Sequence, residues 1–465
     1  MNLKDIFQRL LPAHRILPFL ASLGMGPRDL TSGSIFRNLI FTTIPLWIGT
    51  LVYIPIPTWE LYLIGKLGSE VIAALAIGGT GLMLFLTAVL GVSNIAIALI
   101  GNLIGQKDYQ AANRLAKEIL TITFLISIIL AIIGYFVTPG LLSLLSVEKE
   151  VSAFAISYLR ILLVGGIVAF PVYVINSILR GAGEMRIPML IVCGEIILNI
   201  ILLPFFISGF ALNGAAMAWI ISGAMGTSVG LWILFKGKSI IKVDFELSLP
   251  RLTTVKEMRN LAGLNTLEMF LMQIIGLVMI RLVAPWGTPA LAAYGIGQRL
   301  LMMVALPGFD LATSSNIIMA NNLGAKEIRR AERSSWLACG LNALIMGLAG
   351  IIIFNLAAQI IGIFDKTPEV VKIGIDYLRI TTPGWFLLAI WFILKRSFIG
   401  AKDARTPFLI TLFGLGGQVL LAFWLSGRIG LEVNGIWWAI FFAALFQGLI
   451  SASLFRLGRW KPKDF

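Results

Sequence analysis

Glu60, Glu195, Glu268, Arg299 and Asp310 stand inside otherwise apolar runs of this chain. An ionised side chain in hydrocarbon costs about 2.5–3.5 kcal/mol on insertion scales, so each must face protein or a wet cleft, and each is a site candidate. Glu60 is the foremost. It lies five residues before Gly65, and Pro45, Pro55 and Pro57 precede it. Prolines remove backbone donors and kink a helix, leaving carbonyls free to bind water or a cation. A carboxyl there can take a proton from one side of a membrane and release it on the other. The plainer reading is a carboxylate solvated near the headgroups. Glu268 is the second anchor, either functional or buried in a pair with a neighbour. Arg299 and Asp310 are eleven residues apart, close to three helical turns and about 16 Å. They share a face but cannot bridge, so each is expected to pair with another helix, Arg299 with Glu268. Glu195 is open between cleft and pairing. His14 is the one histidine, and no spacing of His, Cys, Asp or Glu suits a metal.

The elements that position these groups follow from composition. The chain has 465 residues, 58% hydrophobic and 13% charged, with mean hydropathy +0.92. Soluble domains run at roughly 45–50% apolar and about 25% charged, which excludes a water-soluble multidomain enzyme. Long unbroken apolar runs argue against a β-barrel. Twelve candidate spans fall near 36–64, 71–100, 119–144, 152–178, 188–208, 212–235, 260–284, 290–318, 335–363, 372–394, 407–427 and 433–455. The expectation is an all-α polytopic membrane protein of twelve transmembrane helices. Residues 1–35 read as a cytoplasmic amphipathic tail, with Leu3, Ile6, Phe7, Leu10 and Leu11 at helical spacing. Residues 36–235 make an N-lobe, 236–259 a basic cytoplasmic linker, 260–456 a C-lobe and 457–465 a second tail. With the N-terminus inside, the great majority of the 37 Lys and Arg fall on one side, placing both termini in the cytoplasm and the chain in the inner membrane. The +14 charge is thereby explained without nucleic acid.

The chain repeats itself at a shift of 219 residues. Tyr158-Leu159-Arg160-Ile161 falls on Tyr377-Leu378-Arg379-Ile380, Gly78 on Gly297, Gly105 on Gly324 and Gly181 on Gly400. Each half holds six spans, so both insert the same way, and two pseudo-symmetric lobes flank a cleft. Arg160 and Arg379, being repeat-related, read as structural. Gly105-Gln106-Lys107-Asp108 and Gly324-Ala325-Lys326-Glu327 read as tight turns in which glycine supplies the special backbone angles. There is no phosphate loop, so ATP-driven pumping by this chain is not expected.

Several motifs make the chain recognisable. The first helix carries Ile44-Pro45-Leu46, an acid fifteen residues past the proline at Glu60, then Gly65-Lys66-Leu67-Gly68. Ala73 to Gly78, Arg180-Gly181-Ala182-Gly183-Glu184, Ala292 to Arg299 and Asn322-Leu323-Gly324-Ala325 follow. Together these resemble the MATE (multidrug and toxic compound extrusion) family over nearly all of 36–456. The resemblance implies the family's two-lobe fold and its export of organic cations and drugs, driven by H⁺ or Na⁺. It also draws in Asn199. The family's fifth helix carries Asn, then Asp four residues on, then Pro; here Asn199 and Pro204 match, and Leu203 stands at the Asp position. A plain interhelical hydrogen bond, about 0.6 kcal/mol, is the other reading of Asn199. Sodium wants about six oxygen ligands, so the lost carboxylate favours H⁺ over Na⁺. Glu268 matches an acid that some subfamilies place in the C-lobe.

These readings converge on a monomeric secondary exporter. It is not an enzyme and needs no cofactor beyond its coupling ion. Its partners are small organic cations or drugs and the surrounding lipids. Ion coupling falls to Glu60 and Asn199, with Glu268 and Asp310 as further coupling or substrate carboxylates, and Glu195 and Arg299 in the cleft or in pairs. The alternative is a flippase for lipids or lipid-linked oligosaccharides; the acidic candidates, set against the single Arg299, argue against an anionic headgroup.

Overall fold

A computed structural model describes residues 28–143, 148–244 and 249–461, and every regular element among them is helical. In chain order these are α1 (Ile35–Tyr53), α2 (Pro55–Ile64), α3 (Ser69–Gly105), α4 (Tyr109–Ser143), α5 (Lys149–Ala169), α6 (Pro171–Gly181) and α7 (Arg186–Phe235). Then come α8 (Leu252–Val283), α9 (Thr288–Gly324), α10 (Ile328–Asn355), α11 (Ala357–Phe364), α12 (Pro368–Thr381), α13 (Trp385–Gly400), α14 (Arg405–Phe423) and α15 (Glu432–Arg456). Without water to bond the backbone, helices satisfy every amide within their own segment.

Eleven helical segments among the described residues are long and apolar enough to cross a membrane. One of them is α7, with 50 residues. At 1.5 Å per residue that is about 75 Å, more than twice the hydrocarbon thickness. It breaks at Ala211, whose backbone is non-helical (φ 49, ψ −131), and so forms two crossings, bringing the spans to the expected twelve. Helix ends depart from the apolar windows. The seventh span begins at Leu252, not 260, and the tenth runs to Gly400, not 394. Windows stop at the first charges, but a helix carries those charges onward. The amphipathic helix expected in the N-terminal tail lies outside the described residues; residues 28–34 are irregular.

The internal repeat is built into the geometry. Helices α3 and α9 start and stop at positions 219 apart, and so do the 3₁₀ turns Gly65–Leu67 and Ala284–Trp286 that precede them. Gly78 and Gly297 each face the ring of the repeat-related tyrosine, Tyr158 and Tyr377. The tyrosine ring stands where a glycine side chain would be, so α3 and α9 are each pulled close against the middle of their own half.

Four turns of one pattern, Gly-x-(Lys or Gly)-acid, end α3, α6, α9 and α13. The third residue of each has positive φ: Lys107 (61°), Gly183 (80°), Lys326 (64°) and Lys402 (62°). Its amide and the next one bond back to carbonyls of the last helical turn, as in Lys107 N to Ile104 O and Asp108 N to Leu103 O. This corrects the expectation for the leading glycines. Gly105 and Gly324 are helical, and three lysines adopt the left-handed conformation. The glycines are needed for approach instead. A side chain on Gly105 would stand 2.0 Å from the Asn321 carbonyl oxygen, and one on Gly324 would stand 1.9 Å from that of Asn102. The two halves are therefore sealed together where α3 and α9 end, beside Thr31 and Trp460 near the two described chain ends.

Helices α1 and α8 cross between the halves. Leu39, Phe41 and Leu46 of α1 pack with Leu311, Trp391 and Phe398 of the second half, while α2 packs on α7 and α3 of the first. Met258 and Ala262 at the start of α8 join the first-half core, and Met279 and Val283 at its end join the second. Any relative movement of the halves would therefore bend both helices.

Overpacking a tight contact costs about 1–3 kcal/mol. Gly105→Ala is expected to open the seal. Maleimide labelling of a Ser314→Cys reporter, with Cys193 and Cys339 replaced by Ser, should rise on the order of five- to a hundredfold from the terminus-bearing side. Gly416→Ala, which meets nothing within 4 Å, should leave it unchanged.

Candidate functional site

Helices α1 and α2 meet at Ile54, whose backbone stays helical (φ −49, ψ −41) and whose amide donates to Thr50 O. Pro55 and Pro57 lack amide protons, so the carbonyls of Leu51 and Tyr53, four residues earlier, lose their helical donors. Pro45 sits inside α1 without breaking it. Glu60 lies one turn beyond Pro57. It is half-buried, within electrostatic reach of the Tyr53 and Tyr158 phenols, and no basic side chain lies at salt-bridge distance. Asn199 is on α7, against which α2 packs, and is 7% exposed. The two share one wall of the first half, with no hydrogen bond between them. Leu203, four residues after Asn199, is buried.

A second group joins the halves. Thr50 Oγ1 of α1 donates to Asp310 Oδ2 of α9 at 2.8 Å. Trp47 Nε1 donates to the Pro307 carbonyl at 3.0 Å, and Thr43 Oγ1 to Ser314 Oγ at 2.9 Å. Arg180, in the last turn of α6, interacts electrostatically with both Asp310 and Glu195. Glu195 belongs to α7 and lies over Gly226, where any side chain would collide with its carboxyl. Its Oε1 is buried without a hydrogen bond, and so is Arg180 Nε. Arg180 is thus within electrostatic reach of one carboxylate from each half.

The third group is sealed in the second half. Glu268 of α8 is fully buried. Lys395 Nζ lies 2.8 Å from its Oε1, and Thr411 Oγ1 donates to the same oxygen at 2.6 Å. Asn265 Nδ2 reaches Oε2 at 3.5 Å, and Asn94 of α3 donates to Asn265 Oδ1 at 3.0 Å. Of the two readings open for Glu268, the geometry shows the buried pair. The partner is not Arg299, which is exposed. Helical periodicity put Arg299 and Asp310 on a common stripe, but Arg299 lies beyond the stretch of α9 that the other half covers.

Arg180, Lys395 and Arg396 were missed because the apolar windows ended at 178 and 394, which placed these bases in loops. The signal was there in the Gly-x-x-acid turns. If Gly181 and Gly400 open the turns, the helices run that far, and the bases just before them are intrahelical. The correction alters the charge balance. Glu60, Glu195, Glu268 and Asp310 are set against three bases, not against Arg299 alone.

At the terminus-bearing end, the connection after α7 is tied to the first half. Glu184 Oε1 accepts from Ser239 Oγ and the Ile240 amide, and Glu118 of α4 pairs with Arg251 at 2.7 Å and bonds Thr254. Burial pushes the Glu184 carboxyl up, while those two hydrogen bonds pull it down. Among the described residues no group of three or more His, Cys, Asp or Glu could hold a metal.

Arg180→Gln is expected to lower transport at least about tenfold, the equivalent of one lost interaction of about 1.4 kcal/mol. Arg180→Lys keeps the charge and should retain most activity; initial rates in proteoliposomes check both.

The MatE family model matches residues 25–205 and 266–424, well over half of the chain. The chain is 26% identical over 418 residues to "Probable multidrug resistance protein YoeA" of Bacillus subtilis (strain 168), covering 87% of this chain and 90% of that one. Among solved structures, a MOP superfamily transporter from Pyrococcus furiosus, described as having a reversed-polarity binding pocket that suggests a different function, superposes with TM-score 0.87 at 21% identity. That match covers 94% of this chain and 98% of the other. The outward-facing conformation of a multidrug resistance MATE family transporter gives TM-score 0.86 at 22% identity, covering 93% and 97%.

Proposed function

The chain belongs to the MATE family, and from that premise we propose that it is a multidrug exporter in which Glu60 exchanges the coupling ion. The observation that carries this is the solitude of Glu60. The other candidate acids of the spanning helices, Glu195, Glu268 and Asp310, each have a base in electrostatic reach; Glu60 has two phenols and follows two prolines that leave helix carbonyls without donors. A carboxyl with no fixed counter-charge is free to trade its proton. The ion is H⁺ rather than Na⁺, because Leu203 offers no oxygen beside Asn199 and one carboxylate falls short of the roughly six oxygens sodium wants.

The cycle we propose is antiport. Both termini lie in the cytoplasm of the inner membrane, so the glycine seal closes the cytoplasmic side and the cleft opens outward. Neutralising Glu60 from outside releases an organic cation, and the proton leaves inward after the halves rock and α1 bends at Ile54. One H⁺ moving through 100 mV supplies about 2.3 kcal/mol, enough for roughly fiftyfold accumulation. Asp310 and Glu195, with Arg180 in reach of both, serve the passage between the halves.

A second reading rests on the three buried bases. Arg180, Lys395 and Arg396 could receive an anionic headgroup, as in a lipid flippase. Two of the three are already answered by Glu195, Asp310 and Glu268, which favours the exporter.

Glu60→Gln should abolish transport of a cationic dye under a pH gradient in proteoliposomes while expression and folding stay near normal. Full pH-driven transport by that variant would refute the coupling role. Driving the wild type with pH and Na⁺ gradients separately decides the ion.

A further inference from the structure

Glu268 is the most enclosed acid among the described residues, with no exposure at all. Every element packed around it can be inspected for charge. Helix α13 supplies Lys395, at 2.8 Å, and Arg396, in electrostatic reach. Helix α14 supplies the Thr411 hydroxyl. Its own helix supplies the Asn265 amide, and α3 reaches the cluster through uncharged Asn94. The hydroxyl and the amide both donate to the carboxylate, and the lysine ammonium is the cation at hydrogen-bond distance from it. That ammonium enters from the side: the Lys395 side chain is 13% exposed, and its Nζ also lies 3.6 Å from Met272 Sδ.

The internal repeat adds an independent point. The positions matching Glu268 and Lys395 in the first half are Gly49 and Asn176. Neither charge has a counterpart there, so the second half carries both members of the pair and the first half carries neither.

We propose that Lys395 is a tethered cation for Glu268, holding the place of a coupling ion. Glu268 then keeps its counter-charge throughout the cycle, and one ion, at Glu60, is exchanged per turnover. This rests on the exporter reading above and specifies its stoichiometry. A flexible four-carbon stem delivers a compact ammonium. Being intramolecular, it competes at an effective concentration of millimolar or more against any free ion. Lys395 is a specificity-determining residue in this account: it decides which carboxyls take part in exchange.

The test reads the accumulation limit of ethidium in proteoliposomes across a gradient of one pH unit, with the membrane potential clamped at zero. Each exchanged proton multiplies that limit about tenfold. Wild type and Lys395→Arg should stop near tenfold. Lys395→Met frees Glu268 to exchange and should approach a hundredfold, and Lys395→Met with Glu268→Gln should return to tenfold. A Lys395→Met variant that transports yet stays at tenfold overturns the proposal, and so does a wild type that already reaches a hundredfold and falls to tenfold with Glu268→Gln. Should Lys395→Met fail to fold, the neutral double variant decides: a tenfold limit supports the proposal, and lost coupling with Glu60 intact overturns it. A wild type that ignores the pH gradient sinks proton coupling at Glu60 instead, and the same limits are then read under a tenfold Na⁺ gradient.

Discussion

A charge without a counter-charge is the most expensive object that can be placed among membrane-spanning helices, and this molecule arranges its buried charges around that fact. Arg180 lies within electrostatic reach of Glu195 and Asp310. Lys395 sits on Glu268, with Arg396 beside it. The two groups are tied into the contact between the halves, through Thr50 in one case and through Asn265 and Asn94 in the other. Glu60 alone among these acids is left with phenols, just past two prolines that deprive helix carbonyls of their donors. Its isolation costs stability, and the proposed exchange role rests on that isolation.

The repeat supplies the moving parts. Helices α3 and α9 match from end to end and meet at Gly105 and Gly324, where absent side chains let two backbones touch. A contact of that kind is either closed or open, since nothing soft lies between. Helices α1 and α8 each begin on the opposite half and finish on their own. Any relative movement of the halves would load them, and the chain of α1 and α2 has two prolines just past Ile54. The two are not equivalent: α1 and α2 together carry Pro45, Pro55, Pro57 and Glu60, while α8 has no proline and an acid paired with Lys395. Matching architecture with unmatched charges is what a machine exchanging its ion in one half requires.

Much of this could be read from residue types and order. The cost of intramembrane charge picked out Glu60, Glu195, Glu268 and Asp310, and the prolines marked where helix carbonyls lose their donors. The 219-residue register paired Gly105 with Gly324 and Gly78 with Gly297, though not the close contacts they make. What escaped did so for physical reasons. Apolar windows end where charge begins, whereas helices do not, so Arg180, Lys395 and Arg396 were left in loops. Periodicity says which residues share a stripe but not which part of a long helix the other half covers, so Arg299 was assigned a partner it does not have. The left-handed lysines Lys107, Lys326 and Lys402 went unseen because composition favours glycine for that conformation; only the carbonyl pattern of the turn shows that the third residue must adopt it. Pairing across 127 positions, from Glu268 to Lys395, is decided by packing alone.

The central claim is that the Glu60 carboxyl changes protonation when substrate arrives. Infrared difference spectroscopy of the purified protein in lipid, with and without a cationic substrate, observes that event directly. The account predicts that substrate removes a protonated-carboxyl C=O band, and that this band is missing from Glu60→Gln while the variant still binds. An unchanged carboxyl region on substrate binding, or the same band surviving in Glu60→Gln, would contradict it.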